Sequence, residues 1–154
     1  MTKQSTVANP VGIERLCVFG MPPVPFVELA ASLGCQYIGI GLEAMRYYNP
    51  HKYPDWPLKN NASLRRETLT ALRNHNVTIS LCEGFGIRKG ASVRDMESDL
   101  DVVWELGGER INAVSVDTDL SRTIDEFAIL AEMAAARSIE TVIEIGPGPI
   151  TGLP

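Results

Sequence analysis

The feature that most constrains this chain is an alternation. Five short apolar runs, at 16–19, 36–43, 77–82, 110–116 and 141–145, are separated by four stretches of helical spacing, at 25–33, 63–74, 92–106 and 121–137. Strands that each feed a helix before the next strand begins pair in parallel, because only a crossover of that length returns the chain to the same end of the sheet. The joins are unequal. Those from helix to strand are two or three residues long (Gly34-Cys35, Asn74-His75-Asn76, Gly107-Gly108-Glu109, Ser138-Ile139-Glu140), whereas the loops that leave the strands are mostly longer and rich in Gly, Pro and charge. Any chemistry is therefore expected at the C-terminal ends of the strands, the working end of a parallel sheet whether it closes into a barrel or stays open.

Residues 36–43 favour the barrel. Ile38, Ile40 and Leu42 alternate with Gly39, Gly41 and Glu43, aliphatic on one face, glycine and carboxylate on the other. After the fifth run come only residues 146–154, with no fifth helix. Five strands of a barrel standing alone leave two unpaired edges and an uncovered inner face, so a genuine five-stranded open domain is the weaker reading. The expected fold is a parallel (βα) barrel of TIM type, truncated after the fifth strand. It spans 15–154 behind a flexible arm at 1–14, as the N-terminal part of a longer enzyme.

Composition narrows the partners. A net charge of -5, with 14 Lys and Arg against 19 Asp and Glu, provides no basic field for phosphate backbones, so no nucleic-acid partner is expected. No apolar run reaches the roughly 18 residues that span a bilayer, and the N-terminus lacks a signal-peptide pattern, which leaves no membrane partner and a cytoplasmic address. Cys17, Cys35 and Cys82 are too widely spaced for a CxxC motif and are expected as buried free thiols.

Glu144 is the foremost candidate for chemistry. It ends the apolar run Val142-Ile143-Glu144 before a Gly-Pro loop, where a carboxylate can ligate a divalent cation or move a proton. Glu43 and Glu83 end the second and third runs. The inner parity of the third run is open between Ser80 with Cys82 and Leu81 with Glu83, and a bulge could re-aim Glu83. Asp117 closes the fourth run, either on a polar inner layer or as a turn or cap before the fourth helix. The long loop 44–61 carries Arg46, Tyr47, Tyr48, His51, Lys52 and Trp56, able to hydrogen-bond and stack on a polyol; His51 and Trp56 are its candidate ligand contacts. His75 sits at the opposite end of the strands and is structural. Gly39-Ile40-Gly41-Leu42-Glu43-Ala44 fits the GxGxxG/A string, yet its glycines lie inside a strand rather than between strand and helix, so a dinucleotide site is not expected.

With those residues in place, the chain resembles the xylose-isomerase-like barrel superfamily, in its sugar phosphate isomerase/epimerase branch. The run Phe26-Val27-Glu28-Leu29-Ala30-Ala31-Ser32-Leu33-Gly34-Cys35-Gln36-Tyr37-Ile38-Gly39-Ile40 is similar to that family's opening unit, and Leu106-Gly107-Gly108 and Val142-Ile143-Glu144-Ile145-Gly146-Pro147 fit later ones. The resemblance implies metal-assisted proton transfer beside the carbonyl of a sugar or sugar phosphate. Glu144 would be both ligand and catalytic group, and the cofactor would be a divalent metal (Mn, Mg, Co or Zn). It implies that the remaining ligands come from strands six to eight, which have no positions here. Dehydratase and endonuclease members share the fold. From a different class, a non-catalytic half-barrel that binds a polyol or pairs as a homo-oligomer is the alternative.

Overall fold

The computed structural model describes residues 9–45 and 48–145. Five strands run in the order β1 (Gly12–Glu14), β2 (Tyr37–Gly41), β3 (Thr78–Ile87), β4 (Arg110–Ser115) and β5 (Glu140–Glu144), each parallel to its neighbour and adjacent to it in sequence order. A doubly wound sheet reverses its strand order at a switch point; this one never does, which makes it the arc of a barrel. Four helices separate the strands: α1 (Pro23–Ser32), α2 (Ala62–His75), α3 (Glu97–Glu105) and α4 (Leu120–Ala135).

The core lies between strands and helices. Ile38 and Ile40 of β2, Ile79, Cys82, Phe85 and Ile87 of β3, and Ile111 and Ala113 of β4 form one apolar layer. Against it pack Phe26, Val27 and Ala30 of α1, Leu72 of α2, Leu100 and Val103 of α3, and Leu130 of α4. The strand residues that alternate with these, among them Gly39, Gly41, Leu81, Glu83, Asn112 and Val114, therefore face inward, toward the barrel axis. At roughly 2 kcal/mol for each fully buried aliphatic side chain, this layer is the main source of stability.

Local signals set the helix ends. Pro23 occupies the first turn of α1, where its missing N–H costs nothing, and Gly34 follows that helix at φ 75°. α2 is capped by Asn61, whose side chain accepts from the Leu64 N–H at 3.0 Å, while Ser63 lies inside the helix and bonds Glu67 at 3.1 Å. The third helical stretch is divided, a 3-10 turn at Val93–Met96 preceding α3.

Two strands depart from expectation. Residues 16–19 are not the first strand: Arg15–Cys17 form a 3-10 turn, Leu16 is exposed, and the strand is Gly12–Glu14, beginning four residues earlier and within the expected arm. Residues 1–8 of that arm, like the tail from Gly146, lie outside the described residues. β3 runs five residues past Cys82, because a register shift between Cys82 and Phe85, with Gly84 at φ 116°, lets the chain resume pairing with β4 instead of leaving as a loop. Cys17 is exposed rather than buried; Cys35 is half-buried and Cys82 buried, all three as free thiols. No described helix is long and apolar enough to cross a membrane.

Candidate functional site

The inner face is polar where the strands end. Glu14 pairs across the sheet with Gly39, and Gly41 with Glu83. Those glycines are windows: a Cβ at Gly39 would lie 1.7 Å from Glu14 Oε2, and one at Gly41 would lie 2.3 Å from an Arg15 guanidinium nitrogen. Side chains from β1 and the turn after it thus lie flat across β2 and reach β3, where Arg15 Nε donates to Glu83 Oε2 at 2.5 Å. The GxGxxG/A string is accounted for by this close approach, inside a strand as expected.

The facing of Glu83 is decided by a bulge. Ile38 pairs with Ile79 but Gly39 pairs with Leu81, so Ser80 is an extra residue, bonded through its hydroxyl to the Ile38 carbonyl at 3.2 Å. Ile79 and Cys82 can then both face the helices while Leu81 and Glu83 face inward. Above Glu83 a cavity of about 280 Å³ opens, lined by charges of both signs: Arg15, Glu43, Lys59, Glu83, Arg88 and Asp99. Lys59 Nζ stands 3.9 Å from Glu43 Oε2 and 3.6 Å from Asp99 Oδ2.

Glu14 and Arg15 were not among the residues expected at the site. Burial, first, and then the charge and closeness of Glu83 push the Glu14 carboxyl from 4.5 up to about 7, against the opposing pull of Arg15. Glu14 Oε2 is buried with no hydrogen-bond partner among the described residues. Burial also pushes the Cys82 thiol up to about 12, with Glu14 and Glu83 adding to it, so this thiol stays protonated.

The other candidates are dispersed. Glu144 pairs with Val114 on the inner face at the end of β5, exposed, and its Oε2 accepts from Asn112 Nδ2 at 2.6 Å. It does not line the cavity above Glu83. Asp117 is on the helix side: it shares a face with Ser115, is 1% exposed, stands 2.9 Å from Arg122 Nε, and accepts from the Asp119 N–H at 3.0 Å. Trp56 is buried and donates its indole N–H to the Gly20 carbonyl at 3.0 Å, tying the long loop to the loop after β1. Its ring borders a small cleft beside Arg15 and Glu43. His51 is exposed, 5.8 Å from the Tyr53 ring, and Arg46 and Tyr47 lie outside the described residues. Among the described residues no three His, Cys, Asp or Glu side chains come together as a metal ligand set.

No family model matches the chain, and no curated protein matches it by sequence. Solved structures match it in fold. A xylose isomerase domain containing protein from Salmonella typhimurium LT2 aligns with a TM-score of 0.66 at 12% identity, over 88% of this chain and 50% of that one. A sugar phosphate isomerase/epimerase from Parabacteroides distasonis ATCC 8503 aligns at 0.64 and 11% identity, over 92% and 53%. A D-allulose 3-epimerase from a Methylomonas species, crystallised with D-allulose, aligns at 0.61 and 17% identity, over 89% and 51%. The chain therefore spans about half the length of these structures, and its fold is that of the corresponding part of a TIM barrel.

Proposed function

We propose that this chain supplies the first five strands, and one wall of the active-site mouth, of a sugar or sugar phosphate isomerase/epimerase that moves a proton beside a carbonyl. The observation that carries the reading is that Glu83, level with the C-terminal end of β2, and Glu144, at the C-terminal end of β5, stand on the same inner face, with a cavity lined by both signs of charge above Glu83. A polyol offers donors and acceptors at every carbon, and Arg15, Glu43, Lys59, Glu83 and Asp99 offer both in return. The cavity volume is near the lower bound of about 300 Å³ for small-molecule sites. Glu144 is the proposed base that withdraws the proton, and Glu43 and Glu83 contact the hydroxyl groups. His51 and Trp56 would act from the loop above, and Asp117 through the position it imposes on Arg122.

A divalent metal belongs to this reading through the family resemblance alone. Glu144 is the one ligand assigned to this chain, and no step is routed through the metal. The fold also carries dehydratase and endonuclease chemistries, and the acidic composition weighs against the second. The open edges of β1 and β5, with Val142, Ile143 and Ile145 exposed, support a further reading in which two copies pair as a homo-oligomer. Light scattering tests it: a monodisperse dimer is expected under that reading, and a monomer removes it.

The decisive assay uses the protein expressed from its whole reading frame, in deuterium oxide with manganese, with D-allulose, D-fructose and their phosphate esters. Deuterium appearing beside the carbonyl, at least about 100-fold slower in Glu144→Gln, is the expected result. No exchange with any of these ketoses removes the proposal. Calorimetry with manganese on the same protein isolates the ligand role, since unchanged binding in Glu144→Gln removes Glu144 as a ligand.

A further inference from the structure

We infer that Glu83 and Glu14 hold one proton between them and that Glu83 delivers it to a ligand oxygen in the mouth cavity, with Glu14 as the store beneath. The inference deepens the proposed function, on which its transfer step rests.

Geometry carries it. Glu83 lines the cavity, whereas Glu14 does not; Glu14 lies one layer deeper, in the space that Gly39 leaves open. The buried Glu14 Oε2 lacks a partner, and its carboxyl neighbour is Glu83. Two carboxylates are both acceptors and cannot bond each other. One added proton converts the pair into donor and acceptor and satisfies the orphan oxygen.

The charges agree. Arg15 is the one cation paired with these carboxyls among the described residues, β2 contributes only glycine between them, and the adjoining Cys82 thiol is neutral. Two carboxylates and one guanidinium leave an excess negative charge, which a single shared proton cancels. Burial, first, and then this same charge of Glu83 push the Glu14 carboxyl up.

The transfer balances. As the base takes the proton beside the ligand carbonyl, the C–H electron pair becomes the C=C bond of an enediol. The carbonyl oxygen, gaining the π pair, receives the proton from Glu83. Glu14 passes the one shared proton to Glu83, the O–H bond on Glu83 then breaks as one on the ligand forms, and the pair is left doubly negative beside Arg15. Re-ketonisation at either carbon returns the proton. Glu83 is thus a catalytic residue and Glu14 a positioning one.

Carbon-13 NMR of the whole protein labelled in its glutamate carboxyls tests the shared proton with no substrate present. One carboxyl titrating near pH 7 is expected, absent in Glu14→Gln and moved down toward the ordinary range in Glu83→Gln. If every wild-type carboxyl titrates in the ordinary range, the inference is overturned, and this measurement needs no variant to fold. Solvent deuterium exchange into D-fructose then tests delivery. Glu83→Gln should slow it at least about 100-fold, and Glu14→Gln about 10-fold with loss of the pH dependence near 7. Undiminished exchange in Glu83→Gln overturns delivery while leaving the proposed function intact. No exchange in the wild type removes the proposed function and delivery together.

Discussion

Two glutamates stand on the inner face, Glu83 on the central strand β3 and Glu144 on the edge strand β5, and they live in different chemistry. On the β1–β3 wall, Glu83 is locked by Arg15 and backed by Glu14, in space cleared by Gly39 and Gly41. At the β5 margin, Glu144 is exposed, held by one bond from Asn112, with Val142 and Ile143 bare on either side. β3 has a neighbouring strand on each side, and Glu14, laid over the glycines of β2 toward it, is partly buried there, which displaces its protonation. The margin has a neighbour on one side only, and its carboxylate stays in water. A strand-end Glu acquires a function-ready environment from what stands on both flanks, not from its place on the strand.

The largest expected effect breaks the wall at its cation. Arg15→Ala leaves two carboxyls facing each other with no counter-charge, and should cost about 2–3 kcal/mol of unfolding free energy at pH 8, measured by urea denaturation. The cost should shrink toward pH 5, where protons replace the guanidinium. An equal loss at both pH values would mean that Arg15 acts through packing alone.

Next comes the pH dependence. The folded-state value of Glu14 lies above the unfolded one, so between 4.5 and about 7 only the folded protein keeps that proton. Wild-type stability from this group is therefore complete below 4.5 and lost as pH rises through 7. Glu14→Gln removes that slope and should raise stability at pH 8, relative to pH 5, by about 1–2 kcal/mol after allowance for partial exposure. A variant whose melting temperature tracks the wild type at both pH values removes the displaced carboxyl.

How much of this was legible follows from what each residue reports about its neighbours. The alternation of strands and helices, the inner face of β2 and the inward Glu144 all follow from local period and loop chemistry. β1 does not. Its three residues, Gly12-Ile13-Glu14, bury little, and the apolar 16–19 run looks stronger on its own although Leu16 is exposed. The usable signal was complementarity: the glycines of Gly39-Ile40-Gly41 need long side chains opposite, and Glu14-Arg15 are the long polar pair just upstream. Glu83 was a candidate whose facing stayed open, because the Ser80 bulge that turns it inward depends on pairing with β2. Asp117 shows the limit of parity, since it keeps the face of Ser115 yet that face looks at α4 and Arg122.

Gly39→Ala sharpens the comparison from the backbone side. The added methyl must displace the Glu14 carboxyl but no main chain, so the expected cost is about 1 kcal/mol, within the range for a crowded site that yields at a side-chain end. If the windows exist for Glu14, the double variant Gly39→Ala with Glu14→Ala should recover most of that loss. Additive losses would mean that the two positions do not meet.

The smallest effect is expected at the β5 margin. Glu144→Gln keeps the shape and the acceptor oxygen that Asn112 reaches, and the carboxylate it replaces is in water, so stability should change by no more than about 0.5 kcal/mol at either pH. Paired with the loss of exchange expected of the same variant, a near-zero stability change separates a residue kept for chemistry from one kept for the fold. A loss approaching that of Arg15→Ala would instead mean that β5 is covered in solution and Glu144 buried there. The contrast between wall and margin would then vanish, with the missing neighbour as its cause.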